Sequence, residues 1–165
     1  MRLASPRFVC FVFLLACAVP LAAANATSSA HGQIQFAAGS STATIRFTAR
    51  LDVISGDTSG SIDFSGPVEV TPGNFADVTF SADVTCAAFL INEASMSGTV
   101  TNSSMPALIG TQTLLTVEDN GQGKNSAPDR YTWVMTSASD CHSFPPPSQV
   151  VVDGHVHVRP ASVPF

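Results

Sequence analysis

The sequence predicts an all-β fold: an antiparallel meander of about seven to nine strands, closed as a sandwich or a small barrel and tied by one disulfide. Three observations predict it. Apolar and polar residues alternate with a period of two in several segments, clusters of turn residues separate these segments, and no segment has the pattern of an amphipathic helix. The length of 165 residues fits a single domain.

The composition excludes several classes of protein. Apolar residues make up 45% of the chain and charged residues only 12%, which is too hydrophobic for a disordered protein. The net charge of −5 argues against nucleic-acid binding, because a phosphate backbone requires clustered cations. Beyond the N-terminus, no apolar stretch is long enough to predict a membrane span.

Residues 1–24 have the pattern of a secretory signal peptide. Two arginines precede an apolar run at 8–15, and small residues up to Ala24 offer a cleavage site. This pattern predicts a protein that is secreted or located in the periplasm or cell envelope. The alternative is lipoprotein processing, with a lipid anchor at Cys17.

The predicted mature chain is acidic. Its residues 25–32 are small and polar and indicate a flexible leader, residues 33–160 the β-domain, and residues 161–165 a C-terminal tail. Once both leader arginines are removed, five cations remain against twelve acidic residues, a net charge of −7. This charge makes anionic lipid surfaces and acidic polymers poor partners.

The first clear strand lies around residues 44–53, where one face carries only apolar side chains. A Gly- and Ser-rich turn separates it from a short returning strand at 61–66, and the alternation resumes at 77–86. Residues 86–91 lose the alternation, so a buried strand and a helical turn both stay open. The core-facing residues of the two long strands are Ile45, Phe47, Ala49, Leu51 and Val53, and Val78, Phe80, Ala82, Val84 and Cys86.

The second half of the sequence predicts further strands at 95–102, 111–119 and 130–139. The prolines at 145–147 interrupt strand pairing, because proline has no backbone donor. A last strand at 150–158 carries valines on one face and two histidines on the other.

Two cysteines remain after the predicted leader, Cys86 and Cys141. An even pair in an exported chain predicts one disulfide, and its loop of roughly 55 residues stabilises the fold by about 4 kcal/mol at most. The alternation predicts that both cysteines lie on the core-facing register of their strands.

Four residues are candidate metal ligands. His155 and His157 share a strand face and could bind zinc or copper with a third ligand from a neighbouring strand, but the sequence favours a solvated sheet face. Asp119 and Asp129 lie in an oxygen-rich segment that could bind calcium, although its spacing is not that of a calcium-binding loop. The alternative is a hairpin loop in which Asp and Asn bond their own backbone. We therefore predict no cofactor, and the sequence offers no catalytic motif.

The order of several short motifs resembles a family of small exported bacterial β-domains of uncharacterised function. The family's F-x-F-x-A and G-x-I-x-F strands correspond to 45–49 and 60–64, its V-x-D-N-G turn to 117–121, and its final G-x-I-x-V-H strand to 154–158. The chain departs from the family at 92–94 and 121–123. The resemblance implies the fold and carries no activity.

The predicted function is a non-catalytic binding or structural module outside the cytoplasm, with an unknown ligand or envelope partner. Serine, threonine and aspartate on the solvent face of the sheet would make its contacts. One alternative is a small-ligand carrier with a cavity lined by Trp133, Met135, Phe47 and Phe80. The other is a secreted glycan hydrolase with two carboxyl groups in a cleft.

Overall fold

The computed structural model describes residues 27–123, 125–136 and 140–162. Nine strands form one antiparallel sheet, curled into a half-barrel, in the order β8-β7-β6-β5-β4-β3-β2-β1-β9. The all-β prediction is confirmed. The strands are β1 (Thr27–Ala38), β2 (Ser41–Asp52), β3 (Thr58–Thr71), β4 (Asn74–Phe89), β5 (Glu93–Ser103), β6 (Gln112–Glu118), β7 (Arg130–Thr136), β8 (Gln149–Val150) and β9 (Asp153–Arg159), with short 3-10 turns at Pro106–Leu108 and Cys141–Ser143.

The ends of the domain differ from their predicted bounds. Residues 27–32, predicted as part of a flexible leader, form the first half of β1, which pairs with β2 along its whole length. They are ordered because β1 contributes Ala30 and Ile34 to the core while both of its edges are hydrogen-bonded. The predicted signal peptide lies outside the described residues, and no described helix has the length and apolar character to cross a membrane.

The two edges of the sheet are joined by a very short connection. Strand β8 pairs with β7 at one edge and β9 pairs with β1 at the other, yet only Val151 and Val152 separate β8 from β9. The Val151 N–H donates to the carbonyl of Asp129, and the Val152 N–H donates to the carbonyl of Gln35. Because two residues reach only about 10 Å, the sheet must curl until its edges nearly meet.

Aromatic side chains fill the concave side of the curled sheet. Trp133 stacks on Phe64 with ring centroids 4.8 Å apart, and Phe64 stacks on Phe80 at 5.2 Å. Phe36 lies 5.4 Å from Tyr131 and 6.2 Å from Trp133, so the rings of β1, β3, β4 and β7 meet across the interior. Burial raises the pKa of the Tyr131 phenol to about 12, which keeps it neutral in this core.

The predicted disulfide between Cys86 and Cys141 is confirmed, but its predicted place in the core is wrong. Its Cα atoms lie 5.9 Å apart, a usual span for a disulfide. Val84 pairs with Gly98 and Cys86 with Ser97, so Thr85 is bulged out and the strand changes face there. Cys86 therefore lies on the outer face, and Cys141 lies in a 3-10 turn rather than a strand.

The disulfide belongs to a small second cluster on the outside of the sheet. Its cysteines pack with Ala88, Leu114 and Phe144, away from the main core. The turn that carries Cys141 contacts β4 and β5 and packs on Leu114 of β6, on the outer face of the sheet. The Thr116 hydroxyl donates there to the Ser95 hydroxyl at 3.2 Å, and both residues are fully buried.

Two glycines allow neighbouring strands to approach closely. Gly60 and Gly154 have φ angles of +150° and +122°, which other residues rarely adopt. A Cβ at Gly60 would overlap the carbonyl oxygen of Thr48, and a Cβ at Gly154 that of Gln33. Glycine at these two positions therefore keeps β3 on β2 and β9 on β1.

The disulfide contributes measurably to stability. In the double variant Cys86→Ala/Cys141→Ala we expect the free energy of unfolding to fall by about 2–4 kcal/mol, because the unfolded chain regains the entropy of the open loop. Urea denaturation followed by the fluorescence of Trp133 measures the change. The reduced wild type serves as the control and should unfold near the midpoint of the variant. An unchanged midpoint in both would contradict a structural role for the bond.

The aromatic stack is the second test of the fold. Phe64 is only 3% exposed, and we expect Phe64→Ala to lower the free energy of unfolding by about 3–5 kcal/mol, because it leaves a cavity between Phe80 and Trp133. The matched control is Phe75→Ala. Phe75 is 49% exposed on β4, so this substitution should lower the free energy of unfolding by less than about 1 kcal/mol. Urea denaturation followed by far-UV circular dichroism measures both, and equal losses would refute a packed interior.

Candidate functional site

Two neighbouring strands, β1 and β9, bring histidines together on the outer face of the sheet. In the pairing of β1 with β9, His31 lies directly opposite His157, and Gln33 lies opposite His155. All three histidines are exposed. The two directly opposed rings are 5.3 Å apart between centroids and meet edge to face.

Arginines flank these histidines. On β2, Arg46 lies opposite Gln33 and donates from Nε to its Oε1 at 3.0 Å, whereas Arg50 lies opposite Ser29. Ser29 in turn lies opposite Arg159 on β9. These six exposed side chains form what we call the arginine–histidine patch: His31, Arg46, Arg50, His155, His157 and Arg159.

The carboxylates of Asp119 and Asp129, candidate calcium ligands in the sequence, accept backbone hydrogen bonds in the structure. The Asp129 carboxylate accepts the N–H of Asn120 at 2.9 Å and that of Val156 at 3.1 Å. The Asp119 carboxylate accepts the N–H of Gly121 at 2.9 Å and that of Val158 at 3.0 Å. Each of the four carboxylate oxygens thus accepts one backbone N–H. The bonds to Val156 and Val158 hold the edge of β9 that does not pair with β1.

Asp119 also connects this edge to the patch. Its Oδ2 lies 3.5 Å from Nδ1 of His157, which is a longer distance than that of a good hydrogen bond. The His157 side chain is 50% exposed and the Asp119 side chain 13%, so the contact lies at the border between solvent and the strand edge.

The four candidate metal ligands do not assemble into one cluster. Within the described residues, the one group of three metal-ligating atoms in mutual reach is Cys86, Cys141 and His142, and both of its sulfurs belong to the disulfide. Of the four candidates, His157 and Asp119 are the one pair within ion-pair distance in the described part of the chain. Metal binding by His155, His157, Asp119 or Asp129 stays a hypothesis.

The acidic residue beside the patch is held by hydroxyl groups. Asp63 on β3 lies opposite Arg46, and its carboxylate accepts the Ser81 hydroxyl at 2.6 Å and the Ser61 hydroxyl at 3.2 Å. Asp63 and Arg46 are not within ion-pair distance, since the described part of the chain has a single such contact, between His157 and Asp119. Two serine hydroxyls therefore hold the Asp63 carboxylate on the strand next to Arg46.

Sequence reasoning missed His31, because residues 25–32 read as a leader. The signal was present, since His31, Gln33 and Gln35 alternate with Gly32, Ile34 and Phe36 in the pattern of a half-buried strand. It also missed the arginines as a site, because their proximity to β9 depends on the pairing of the first strand with the last. Comparisons with protein-family models, curated proteins and solved structures found no match, so the resemblance to exported bacterial β-domains stays a prediction.

The role of Asp129 can be tested by an isosteric change. We expect Asp129→Asn to lower the free energy of unfolding by about 1–3 kcal/mol, because one of its two oxygens becomes an N–H donor that faces a backbone N–H. Amide hydrogen exchange should speed up at Val156.

The control for this change is Asp153→Asn. Among the described residues, Asp153 accepts one hydrogen bond, from the N–H of the adjacent Gly154, and an amide oxygen can still accept it. The free energy of unfolding of the Asp153→Asn variant should therefore stay within about 0.5 kcal/mol of that of the wild type. Equal stability of the two variants would mean that Asp129 does not fasten β9.

Proposed function

We propose that this chain is an exported, non-catalytic β-domain that acts outside the cytoplasm as a binding or structural module through the outer face of its sheet. The observation that carries the proposal is the filled interior, where Trp133 is stacked against Phe64. Contacts with a partner then fall to the exposed polar face. The disulfide supports export, because such bonds persist in oxidising compartments.

The packing weighs against the carrier alternative. Of the residues expected to line a cavity, Phe47 is 2% and Phe80 4% exposed, both within the core, and Trp133 packs against Phe64. Met135 is 37% exposed rather than enclosed. A barrel carrier requires an open interior, and these side chains occupy it.

The arrangement of acids weighs against the hydrolase alternative. Asp63, Asp119 and Asp129 surround the patch, and both oxygens of each accept hydrogen bonds from the protein. A general acid or a nucleophile needs an oxygen that can reach the substrate. The same carboxylates serve here to hold strands and hydroxyl groups.

Export is tested by producing the full chain in a bacterial host and measuring the mass of the recovered protein. We expect a chain beginning at Asn25, lighter than its reduced form by two hydrogen atoms. A version that begins with Met directly before Asn25 is the control and should stay in the cytoplasm. Full-length protein in the cytoplasm would contradict export, and a lipid mass on Cys17 would replace secretion by anchoring.

Absence of a ligand cavity is tested with the same purified protein. Titration with a fluorescent fatty acid should leave the emission of Trp133, the single tryptophan, unchanged, because its ring packs against other aromatic side chains. Incubation with neutral and acidic polysaccharides should release no reducing ends. Saturable quenching would favour the carrier, and release of reducing ends would favour the hydrolase.

A further inference from the structure

The positive charge of this acidic protein is concentrated in one place. Three of the five cations that follow the predicted leader, Arg46, Arg50 and Arg159, lie in the arginine–histidine patch with three of the four histidines. The three positions between them on these strands are Ser29, Gln33 and Thr48, which carry no charge. The net charge predicts poor binding of acidic polymers, but it averages over the surface and does not describe this face.

The arginines of the patch have no acidic partner. In the described ranges, no carboxylate lies within ion-pair distance of Arg46, Arg50 or Arg159. The nearest acid to Arg46 across the strands is Asp63, whose carboxylate accepts hydrogen bonds from Ser61 and Ser81, so no ion pair occupies the guanidinium groups. Arg46 is also held in place through its Nε by Gln33, which leaves its two terminal nitrogens for a ligand.

Shallow grooves run along both sides of His31. One, with a volume of about 580 Å³, is lined by Ser29, Thr48, Arg50 and Ser59 among others. The other, of about 280 Å³, includes Gln33, Arg46, Ser61 and His155, and the carboxylate of Asp63, which the Ser61 and Ser81 hydroxyls hydrogen-bond, lies at its side. Hydroxyl, amide and imidazole groups therefore lie between the charges, and they can donate to and accept from the hydroxyl groups of a sugar.

We propose that the arginine–histidine patch binds a polysaccharide that carries carboxylate groups. The guanidinium fork matches a carboxylate with two parallel hydrogen bonds, and the polar groove between the arginines suits the sugar ring. Arg46 and Arg50 are four residues apart on one strand, roughly 14 Å, and Arg50 and Arg159 lie two strands apart, roughly 10 Å. The charges thus lie over an extended area that a chain with repeated carboxylates can cover.

The same observations disfavour two other polyanions. Single-stranded nucleic acid is bound by stacking on aromatic side chains, and the patch has none apart from its histidines, since Trp133 and Tyr131 face the interior. An interfacial membrane contact buries apolar side chains, and the large exposed apolar residues lie elsewhere, for example Ile54 and Ile91 in the turns after β2 and β4. This inference rests on the proposed function and names the ligand of its outer face.

The experiment measures binding of the oxidised mature protein to polygalacturonate by calorimetry at low and at moderate salt. We expect saturable binding that weakens with salt and does not occur with neutral dextran. Arg50→Gln should weaken binding about tenfold, whereas Arg130→Gln, the same charge change on β7, should stay within about twofold. The triple change Arg46→Gln/Arg50→Gln/Arg159→Gln should abolish binding, with its fold verified by circular dichroism.

Several outcomes would overturn the inference. They are no binding to polygalacturonate at low salt, equal weakening by Arg50→Gln and Arg130→Gln, or tighter binding of dextran sulfate, polyglutamate, single-stranded DNA or phosphatidylglycerol vesicles. Failure of the inference is distinct from failure of the proposed function. If the protein is exported, cleaves nothing and does not bind polygalacturonate, the proposed function stands and the proposed ligand is wrong. If it binds and cleaves polygalacturonate, the proposed ligand stands and the proposal of a non-catalytic module is wrong.

Discussion

The structure depends on the closure of one curled sheet. Strands β8 and β9 belong to opposite edges, and the two residues between them, Val151 and Val152, hold those edges close together. The aspartates complete this closure, since Asp119 and Asp129 accept the N–H groups that β9 would otherwise present as an open edge. An edge strand with bare N–H groups invites pairing with other chains, and side-chain acceptors remove that hazard without a tenth strand.

Curling has a second consequence, which concerns the two faces of the sheet. The concave face is small, so a few aromatic rings fill it, and the convex face is left to solvent or to a covering segment. At β4 to β6 the cover is the turn that carries Cys141, tied down by its bond to Cys86. At β9, β1 and β2 no described segment covers the convex face, which carries the arginine–histidine patch. The disulfide and the patch thus occupy different regions of one continuous surface.

The sequence predicts whatever depends on local alternation and misses what depends on distant contacts. The core face of Ile45, Phe47 and Ala49 is confirmed, because period-two burial is a local property of a strand, whereas Val53 is 41% exposed because β2 ends at Asp52. The predicted face of Cys86 was wrong. The bulge at Thr85 arises from the register with β5, and the alternating sequence does not indicate it. The partners of Asp119 and Asp129 on β9 lie 39 and 27 residues away, so no spacing rule could separate this role from calcium binding.

Closure and the outer site are physically linked. Strand β9 supplies half of the patch, and its position depends on Asp119, whose Oδ2 accepts the N–H of Val158 and lies beside His157. The side chains of His157 and Arg159 point outward from the same strand segment whose N–H groups the aspartates hold. A loosened edge would therefore displace these groups relative to Arg46 and Arg50 on β2. If the patch binds a polymer as proposed, the bonds that close the sheet would also hold its charges at a fixed spacing, and such preorganisation favours binding.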